Sequence, residues 1–278
     1  MSVAVVGAGN VGRVLALALD AAGYRVKEVG TRKGTAAKTL ARRLGAEIVE
    51  LARTAEFTAD VVWVCVPDDA IEAVAKTLAR SRTEWRGKVV LHTSGASSSK
   101  ELGALKRRGA AAGSAHPMNS FVATTKPDLR GVPFAVEGDA RAVRAAMQMV
   151  KALGADAFRI APKSKVLYHA MGAFASPLLV STLYAGERVG QAAGVRDPKK
   201  VMARILRETV ENFLRAGSAG AFSGPIRRGD VKTVRKHLKE LRRVQGTAAI
   251  YKVLAIQAVI GLPGREKEAV MKLLGGVR

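Results

Sequence analysis

Three glycines near the N-terminus have the spacing of a turn that binds a diphosphate. They form a Gly-x-Gly-x-x-Gly pattern between a short β-branched run and an apolar helical pattern. The first glycine permits a tight turn, the second lets backbone N–H groups approach the diphosphate, and the third lets the helix pack on the strand. The helix N-terminus then faces the phosphates. The predicted contacts are Gly7, Gly9, Asn10, Val11 and Gly12.

The residues after the second predicted strand indicate which dinucleotide binds. The sequence there reads Thr31-Arg32-Lys33, whereas NAD-specific domains place an acidic residue at this point for the ribose hydroxyls. A guanidinium can bond a 2′-phosphate twice and stack on adenine. These three residues therefore predict NADP. Glu28 is the alternative, as a ribose ligand, if the strand end is shifted by two residues.

A histidine at the end of the sixth predicted strand has the chemistry of an acid or base. His116 stands in Ser114-Ala-His-Pro-Met-Asn119-Ser120. Imidazole titrates near neutrality and can pass a proton to or from a carbonyl or imine when a nicotinamide exchanges hydride. Asn119 and Ser120 are predicted to orient the reacting group. A structural histidine that bonds a loop backbone is the alternative.

Two further segments follow strands at the same predicted edge of the sheet. Val66 and Pro67 come after the fourth strand, and Ser94 comes after the fifth. Doubly wound sheets hold their ligands at the carboxyl ends of the strands. We expect Val66 and Pro67 to flank the cofactor and Ser94 to touch the nicotinamide or the substrate, although a plain turn is equally compatible with the sequence around Ser94.

A polar stripe crosses the long apolar segment that follows. Lys165, His169, Gly172 and Ser176 are separated by four, three and four positions, so they share one helix face. Lys165 and His169 are candidates for proton donation or anion binding, and Ser176 for substrate contact. A solvated lysine and a buried core histidine are the alternatives.

The same segment has 21 uncharged residues between Lys165 and Glu187, which raises the question of a membrane span. Pro177 and many small residues favour a buried central helix instead. Further on, Gly224-Pro-Ile-Arg227-Arg228-Gly-Asp230 joins two predicted helices. Arg228 there is a candidate to hold a carboxylate or phosphate of the substrate, and an ordinary exposed turn is the alternative.

These residues must be positioned by two kinds of architecture. Residues 1–161 alternate β-branched runs with helical patterns, which predicts an α/β domain with a doubly wound, mostly parallel sheet. Residues 162–278 predict an all-α domain built on a long central helix. The predicted strands are 3–6, 25–29, 47–49, 61–66, 88–91, 111–114, 133–137 and 157–160. The predicted later helices are 140–153, 164–193, 198–216, 231–243, 247–260 and 266–274.

Composition limits the remaining functions. The 278 residues include 46 Lys and Arg against 23 Asp and Glu, a formal charge of +23 that favours anionic partners. Nucleic acid is not favoured, because aromatic residues make up only 5% and no zinc-finger, RRM or KH signature is present. The single cysteine, Cys65, lies in a predicted buried strand. No metal site is expected, and the lack of a signal segment predicts a cytoplasmic protein.

Motifs across nearly the whole chain resemble those of Rossmann-like proteins that carry a DUF2520 helical domain. They are the glycine turn, Thr31-Arg32, Val66-Pro67-Asp68, His92-Thr-Ser-Gly95, Ser114-Ala-His116-Pro-Met118, Tyr168-His169-Ala and Gly224 to Asp230. The resemblance implies an NADP oxidoreductase similar in architecture to pyrroline-5-carboxylate reductase, ketopantoate reductase and 6-phosphogluconate dehydrogenase. His116-Pro-Met118 also resembles prephenate dehydrogenase, where the histidine bonds the substrate hydroxyl. Asn119 and Arg32 depart from that family and argue against prephenate.

The sequence therefore predicts an NADP(H)-dependent oxidoreductase that acts on a small anionic carbonyl, imine or hydroxy-acid substrate in the cleft between the domains. The predicted all-α domain, built on a long helix, also favours a homodimer. We do not expect the protein to bind a membrane. The alternatives are a regulatory protein that senses NADP(H) without turnover and a basic nucleic-acid-binding protein.

Overall fold

The structure is a computed structural model that describes residues 1–32 and 34–275. By compactness the chain divides into two units, Met1–Phe174 and Ala175–Arg278. The first unit extends beyond the predicted domain boundary after Ala161, because the residues that follow this point still pack with the sheet. The predicted boundary itself stays a prediction.

The first unit is built on one eight-stranded sheet with the order β3-β2-β1-β4-β5-β6-β7-β8. All neighbouring strands are parallel except β6 and β7, which are antiparallel. The doubly wound, mostly parallel sheet is therefore confirmed, and all eight predicted strands are present with shifted ends. The strands are β1 (Ser2–Val6), β2 (Arg25–Thr31), β3 (Glu47–Glu50), β4 (Val61–Val64), β5 (Val89–His92), β6 (Ala111–Pro117), β7 (Pro133–Gly138) and β8 (Asp156–Arg159).

Helices cover both faces of this sheet because its strands are apolar on both sides. Val3 and Val5 face one buried cluster, whereas Ala4 and Val6 face the other. This alternation of side chains fixes the register of β1 between two helical layers. The helices are α1 (Asn10–Ala21), α2 (Thr35–Leu44), α3 (Ile71–Ala79), α4 (Gly103–Lys106), α5 (Ala140–Ala152) and α6 (Lys165–Ala175), which ends one residue into the second unit.

The second unit is helical and has a small core around Val234, Val259 and Val270. Its helices are α7 (Pro177–Ala192), α8 (Pro198–Ala221), α9 (Pro225–Arg228), α10 (Val231–Leu241), α11 (Thr247–Gly261) and α12 (Lys267–Leu274). Inside α8 the helical geometry is interrupted at Gly217, which has a φ of 67°. This interruption lies next to residue 216, where the sequence predicted the helix to end.

The prediction of one continuous helix over residues 164–193 is wrong. Ser176 has a φ of −128° and a ψ of −87°, which are not helical, and α7 begins at Pro177. Proline lacks an N–H to donate to the preceding turn, and it fits the first position of a new helix. Ser176 therefore lies at a break and does not continue the face that carries Lys165 and His169.

Within the single chain described here the segment is not buried, since α7 has no buried residue. The stretch Pro162–Ala192, which includes the break at Ser176, is long and apolar enough to cross a membrane, with a mean hydropathy of 1.4 in an 18-residue window. A single stretch of this kind is weak support for a span. Large apolar side chains are exposed on α7 and α8: Leu178, Leu179, Val180, Tyr184, Val201, Ile205, Val210, Phe213 and Leu214.

Candidate functional site

The glycine turn between β1 and α1 is closed toward the protein and open on its other side. Gly7 has a φ of 98°, and a Cβ built there would lie 2.4 Å from the carbonyl oxygen of Cys65. A Cβ at Gly12 would lie 1.9 Å from the carbonyl oxygen of Gly7. A Cβ at Gly9, by contrast, would meet no atom within 4 Å. The turn therefore needs glycine at 7 and 12 for packing, whereas Gly9 borders open space.

The first N–H groups of α1 are available for an anion on that open side. The helix starts after Gly9 without a side-chain cap and has no acidic residue in its first turn. Uncapped N–H groups at a helix N-terminus bind anions through hydrogen bonds and the helix dipole. The structure therefore places Gly9, Asn10 and Val11 at a surface that suits a diphosphate.

Other segments adjoin the glycine turn. A Cγ of Val66 would lie 3.1 Å from a Cβ at Gly7, so Val66 lies beside the turn. Pro67 follows it as an exposed residue. Their contact with the cofactor stays a prediction. The Asn10 side chain donates a hydrogen bond to the carbonyl oxygen of Phe121 at 3.2 Å. The Cys65 thiol is buried, and this burial raises its pKa to about 12.

The end of β2 presents Thr31 and Arg32 as predicted. Strand β2 ends at Thr31, and Arg32 follows as an exposed side chain; Lys33 lies outside the described residues. Glu28 is only 2% exposed, and its carboxylate accepts hydrogen bonds from the N–H and hydroxyl of Thr58 and from the N–H of Ala59. Glu28 is therefore a structural residue, and the alternative that it binds a ribose is removed.

Two histidines and a tyrosine form a cluster over Gly95. The Nδ1 atom of His116 lies 3.3 Å from the Tyr168 hydroxyl oxygen. The His116 ring packs edge-on against the rings of Tyr168 and His169, with centroids 5.5 Å and 5.7 Å apart. A Cβ at Gly95 would lie 2.7 Å from His116 Nε2 and 2.6 Å from His169 Cδ2. The structure thus brings His116 and His169 together, and only glycine fits beneath them.

Lys165, at the start of the helix that carries Tyr168 and His169, is fully buried. Its ammonium donates hydrogen bonds to the Ser94 carbonyl oxygen at 2.8 Å and to the Ser114 hydroxyl at 2.5 Å. The solvated-lysine alternative is therefore wrong. The Ser94 hydroxyl accepts hydrogen bonds from the N–H groups of Ala96 and Ser97. Lys165, at the start of α6, thus joins the segment after β5 through Ser94 and the middle of β6 through Ser114.

Burial and the Lys165 charge set the protonation of the cluster. Burial lowers the pKa of Lys165 to about 8, although the carboxylate of buried Glu137 opposes this shift. Burial, followed by the Lys165 charge, lowers the pKa values of His116 and His92 to about 4 each. At neutral pH both imidazoles are therefore uncharged, and Lys165 is mostly protonated.

Several predicted residues are not part of this cluster. Asn119 and Ser120 are exposed after β6, and within residues 1–32 and 34–275 neither side chain hydrogen-bonds to the cluster. Ser176 and Arg228 belong to the second unit. Arg228 is exposed at the end of α9, next to Asp230, whose carboxylate accepts the Thr233 N–H and caps α10.

Sequence reasoning missed Tyr168 as a member of the site. The available signal was its place three residues after Lys165 and directly before His169. Residues three apart lie on neighbouring positions of a helix surface, so a tyrosine beside two candidate proton carriers merited inclusion.

A doubly wound sheet with a Gly-x-Gly-x-x-Gly turn, followed by a helical unit, defines a Rossmann-like architecture. Residues 1–117 match the Rossmann-like domain, and residues 132–258 match DUF2520, a domain of unknown function. The chain is therefore a Rossmann-like protein with a DUF2520 domain, as its motifs predicted.

Solved structures share this fold over nearly the whole chain. BF3122 from Bacteroides fragilis, named provisionally as an NADP oxidoreductase, has a TM-score of 0.78 and 20% identity over 92% of this chain and 96% of its own. TM1727 from Thermotoga maritima has a TM-score of 0.72 and 24% identity over 97% of this chain and 98% of its own. An imine reductase from Myxococcus stipitatus in complex with NADP+ has a TM-score of 0.68 and 16% sequence identity. The match covers 98% of this chain and 99% of the reductase. No curated protein matches the chain significantly.

Proposed function

We propose that this protein is an NADP(H)-dependent oxidoreductase that reduces a small anionic substrate. The observation that carries the proposal is the glycine turn, which is packed at Gly7 and Gly12 and open at Gly9. A diphosphate fits that open side because the uncapped N–H groups of α1 border it. The NADP+ complex of the similar imine reductase supports the choice of a dinucleotide.

The residues of the first unit supply the rest of the proposed chemistry. Bound NADPH would supply hydride. The cluster over Gly95 holds the exchangeable proton, since His116 and Tyr168 are hydrogen-bonded there, and His169 lies beside them. The buried positive charge of Lys165 favours an anionic substrate. Asn119, Ser120, Ser176 and Arg228 stay predictions as substrate contacts.

The preference for the 2′-phosphate can be tested at Arg32. The substitution Arg32→Gln removes a charge at the end of β2, and we expect it to weaken NADPH binding about 10- to 100-fold, which corresponds to the loss of one or two charge-assisted hydrogen bonds. NADH lacks the phosphate, so its affinity should not change. Titration followed by nucleotide fluorescence measures both dissociation constants.

The matched control is Arg42→Gln, which removes the same charge from an exposed position of α2. We expect little change in NADPH affinity for this variant. Equal losses at Arg32 and Arg42 would contradict the proposal, because they would show a general effect of net charge.

We also propose that a second copy of the chain covers the exposed apolar side chains of α7 and α8. Apolar patches of this extent mark interaction surfaces, and the same face is present on every copy, as a two-fold interface requires. Ile205 is 63% exposed on α8. It therefore offers a position where a charge would oppose association without disturbing the core.

We expect the wild-type protein to sediment as a dimer and Ile205→Glu to sediment as a monomer. The control Arg207→Glu introduces the same side chain on the opposite face of α8 and should stay dimeric. Sedimentation velocity distinguishes the two. A monomeric wild type that floats with phospholipid vesicles would contradict the dimer and favour a membrane-bound role for the apolar stretch.

A further inference from the structure

A basic pocket lies in the second unit, between α10, α11 and α12. Its volume is about 480 Å³, which is within the range of pockets that bind small ligands. Apolar residues such as Leu238 and Leu273 form part of its lining, and its charged lining residues are all cations: Arg235, Lys239, Arg242 and Lys252. The pocket is separate from the glycine turn, which belongs to the first unit.

The four cations of this pocket have no salt-bridge partner within residues 1–32 and 34–275. The stretch from Val231 to Lys252 contains seven lysines and arginines but one carboxylate, that of Glu240. Glu240 pairs with Arg243 at 3.0 Å, and both residues line a different cavity against α7. The pocket therefore gathers cations whose charge the neighbouring carboxylate does not offset.

This arrangement has a cost in the protein without a bound anion. Arg235, Lys239 and Arg242 are separated by four and three positions, so they lie on one face of α10. Like charges four positions apart destabilise a helix. The helix dipole favours cations in the last turn, which accounts for Lys239 and Arg242. It does not account for Lys252, which is half-buried and reaches the same pocket from α11.

We propose that this pocket binds a compact anion with several phosphates, such as the triphosphate of a nucleotide or inorganic tripolyphosphate. The inference goes beyond the proposed function and does not depend on it. A guanidinium bonds phosphate oxygens in pairs, and an ammonium adds a compact charge. Two of each suit several phosphates better than a single carboxylate. Bound among the four side chains, the anion turns their mutual repulsion into attraction.

The shape of the pocket favours a compact ligand over a nucleic acid. Single-stranded nucleic acid follows an extended basic groove and stacks its bases on aromatic side chains. The described lining of this pocket contains no aromatic residue. The exposed cations Lys232 and Lys236 of α10 lie outside it. Binding measurements must therefore separate these two ligands.

Calorimetric titration with inorganic tripolyphosphate tests the site, in about 0.15 M NaCl to screen the diffuse attraction of a basic protein. We expect the wild type to bind and Arg242→Gln to weaken binding about 10- to 100-fold, which corresponds to the loss of one or two charge-assisted hydrogen bonds. Lys252→Gln, on the other helix, should also weaken it. Arg242 is exposed, so its substitution does not disturb the core.

The matched control is Arg243→Gln, which removes the same charge from the next residue, outside the pocket. We expect little change in its affinity for tripolyphosphate. Equal losses for Arg242→Gln and Arg243→Gln would overturn the proposal, because they would show a general effect of net charge. Absence of binding of both tripolyphosphate and ATP to the wild type, by calorimetry and equilibrium dialysis, would also overturn it.

Two further ligands identify the source of the phosphates. Tighter binding of ATP than of tripolyphosphate assigns a nucleotide, whereas equal or weaker binding assigns an inorganic polyphosphate. An oligothymidylate of about 20 nucleotides represents single-stranded nucleic acid. If it binds more tightly than both, and Arg242→Gln and Arg243→Gln weaken it equally, an extended nucleic-acid surface replaces the proposed pocket.

The glycine turn is the other place where phosphates would bind, and Gly9→Ala separates the two sites. We expect this variant to keep wild-type affinity for tripolyphosphate, and Arg242→Gln to keep wild-type affinity for NADPH. Loss of tripolyphosphate binding in Gly9→Ala would contradict the pocket and leave the proposed function standing. If NADPH does not bind but tripolyphosphate binding still depends on Arg242, the oxidoreductase is contradicted and the pocket stands.

Discussion

Replacing Gly12 with alanine is expected to destabilise the first unit by about 3 kcal/mol or more, the upper range for overpacking a core. The added Cβ would lie 1.9 Å from the carbonyl oxygen of Gly7 and 3.1 Å from the Cβ of Cys65. The first contact is with backbone, so it cannot be relieved by turning a side chain, and α1 must move away from β1. Urea unfolding followed by tryptophan fluorescence measures the loss, since Trp63 and Trp85 are both buried in this unit.

Gly9→Ala is the matched control, because it adds the same methyl group three positions earlier in the same turn. A Cβ at Gly9 meets no atom within 4 Å, so the unfolding midpoint should stay close to the wild-type value. The methyl group instead occupies the space proposed for the diphosphate. We expect NADPH affinity to fall about 100-fold or more. A stable Gly9→Ala variant with wild-type affinity would contradict the proposed location of the dinucleotide.

The second large effect is loss of stability in acid. His92 and His116 have pKa values of about 4 in the folded protein, where burial and then the Lys165 charge disfavour their protonation, against about 6.5 in an unfolded chain. Between pH 4 and pH 6.5, the two imidazoles are therefore protonated in the unfolded chain but not in the folded protein. The stabilisation is complete above about pH 6.5 and is lost as the pH falls to 4, by about 3 kcal/mol for each histidine.

The free energy of unfolding of the first unit should therefore fall by about 6 kcal/mol between pH 7 and pH 4, much of the stability of an ordinary domain. His92→Asn tests the cause. The Asn amide oxygen can accept the Ser94 N–H that His92 Nδ1 accepts at 3.2 Å, but it does not titrate. We expect the variant to lose about half as much stability over this pH range. Parallel pH profiles for the variant and the wild type would contradict the assignment.

The sheet could be predicted from the sequence because its strands are local patterns. Short β-branched runs between helical patterns identified all eight strands, and strand ends differed by a few residues because edge positions carry a weaker apolar signal. The break at Ser176 could not be located in this way. Proline is compatible both with the start of a helix and with a kink inside one, so Pro177 alone did not decide between them.

The site could be predicted only where it is formed by residues that lie close together in the sequence. The glycine turn is one contiguous motif, and its packing at Gly7 and Gly12 follows from the spacing. The environment of Lys165 depends instead on Ser94 and Ser114, which lie 71 and 51 residues away in the chain. The contact between Tyr168 and His116 spans 52 residues. A single sequence shows such residue types but not which of them become buried together.

The single thiol of the chain, that of Cys65, can be used to measure how often the segment around the glycine turn opens. Cys65 is enclosed between the glycine turn and the end of β4, and its raised pKa keeps it as an unreactive thiol while the unit is closed. Alkylation therefore proceeds only when the segment around the nucleotide-binding turn opens. The rate of labelling by iodoacetamide then counts those openings directly, without any engineered probe and without knowledge of the substrate.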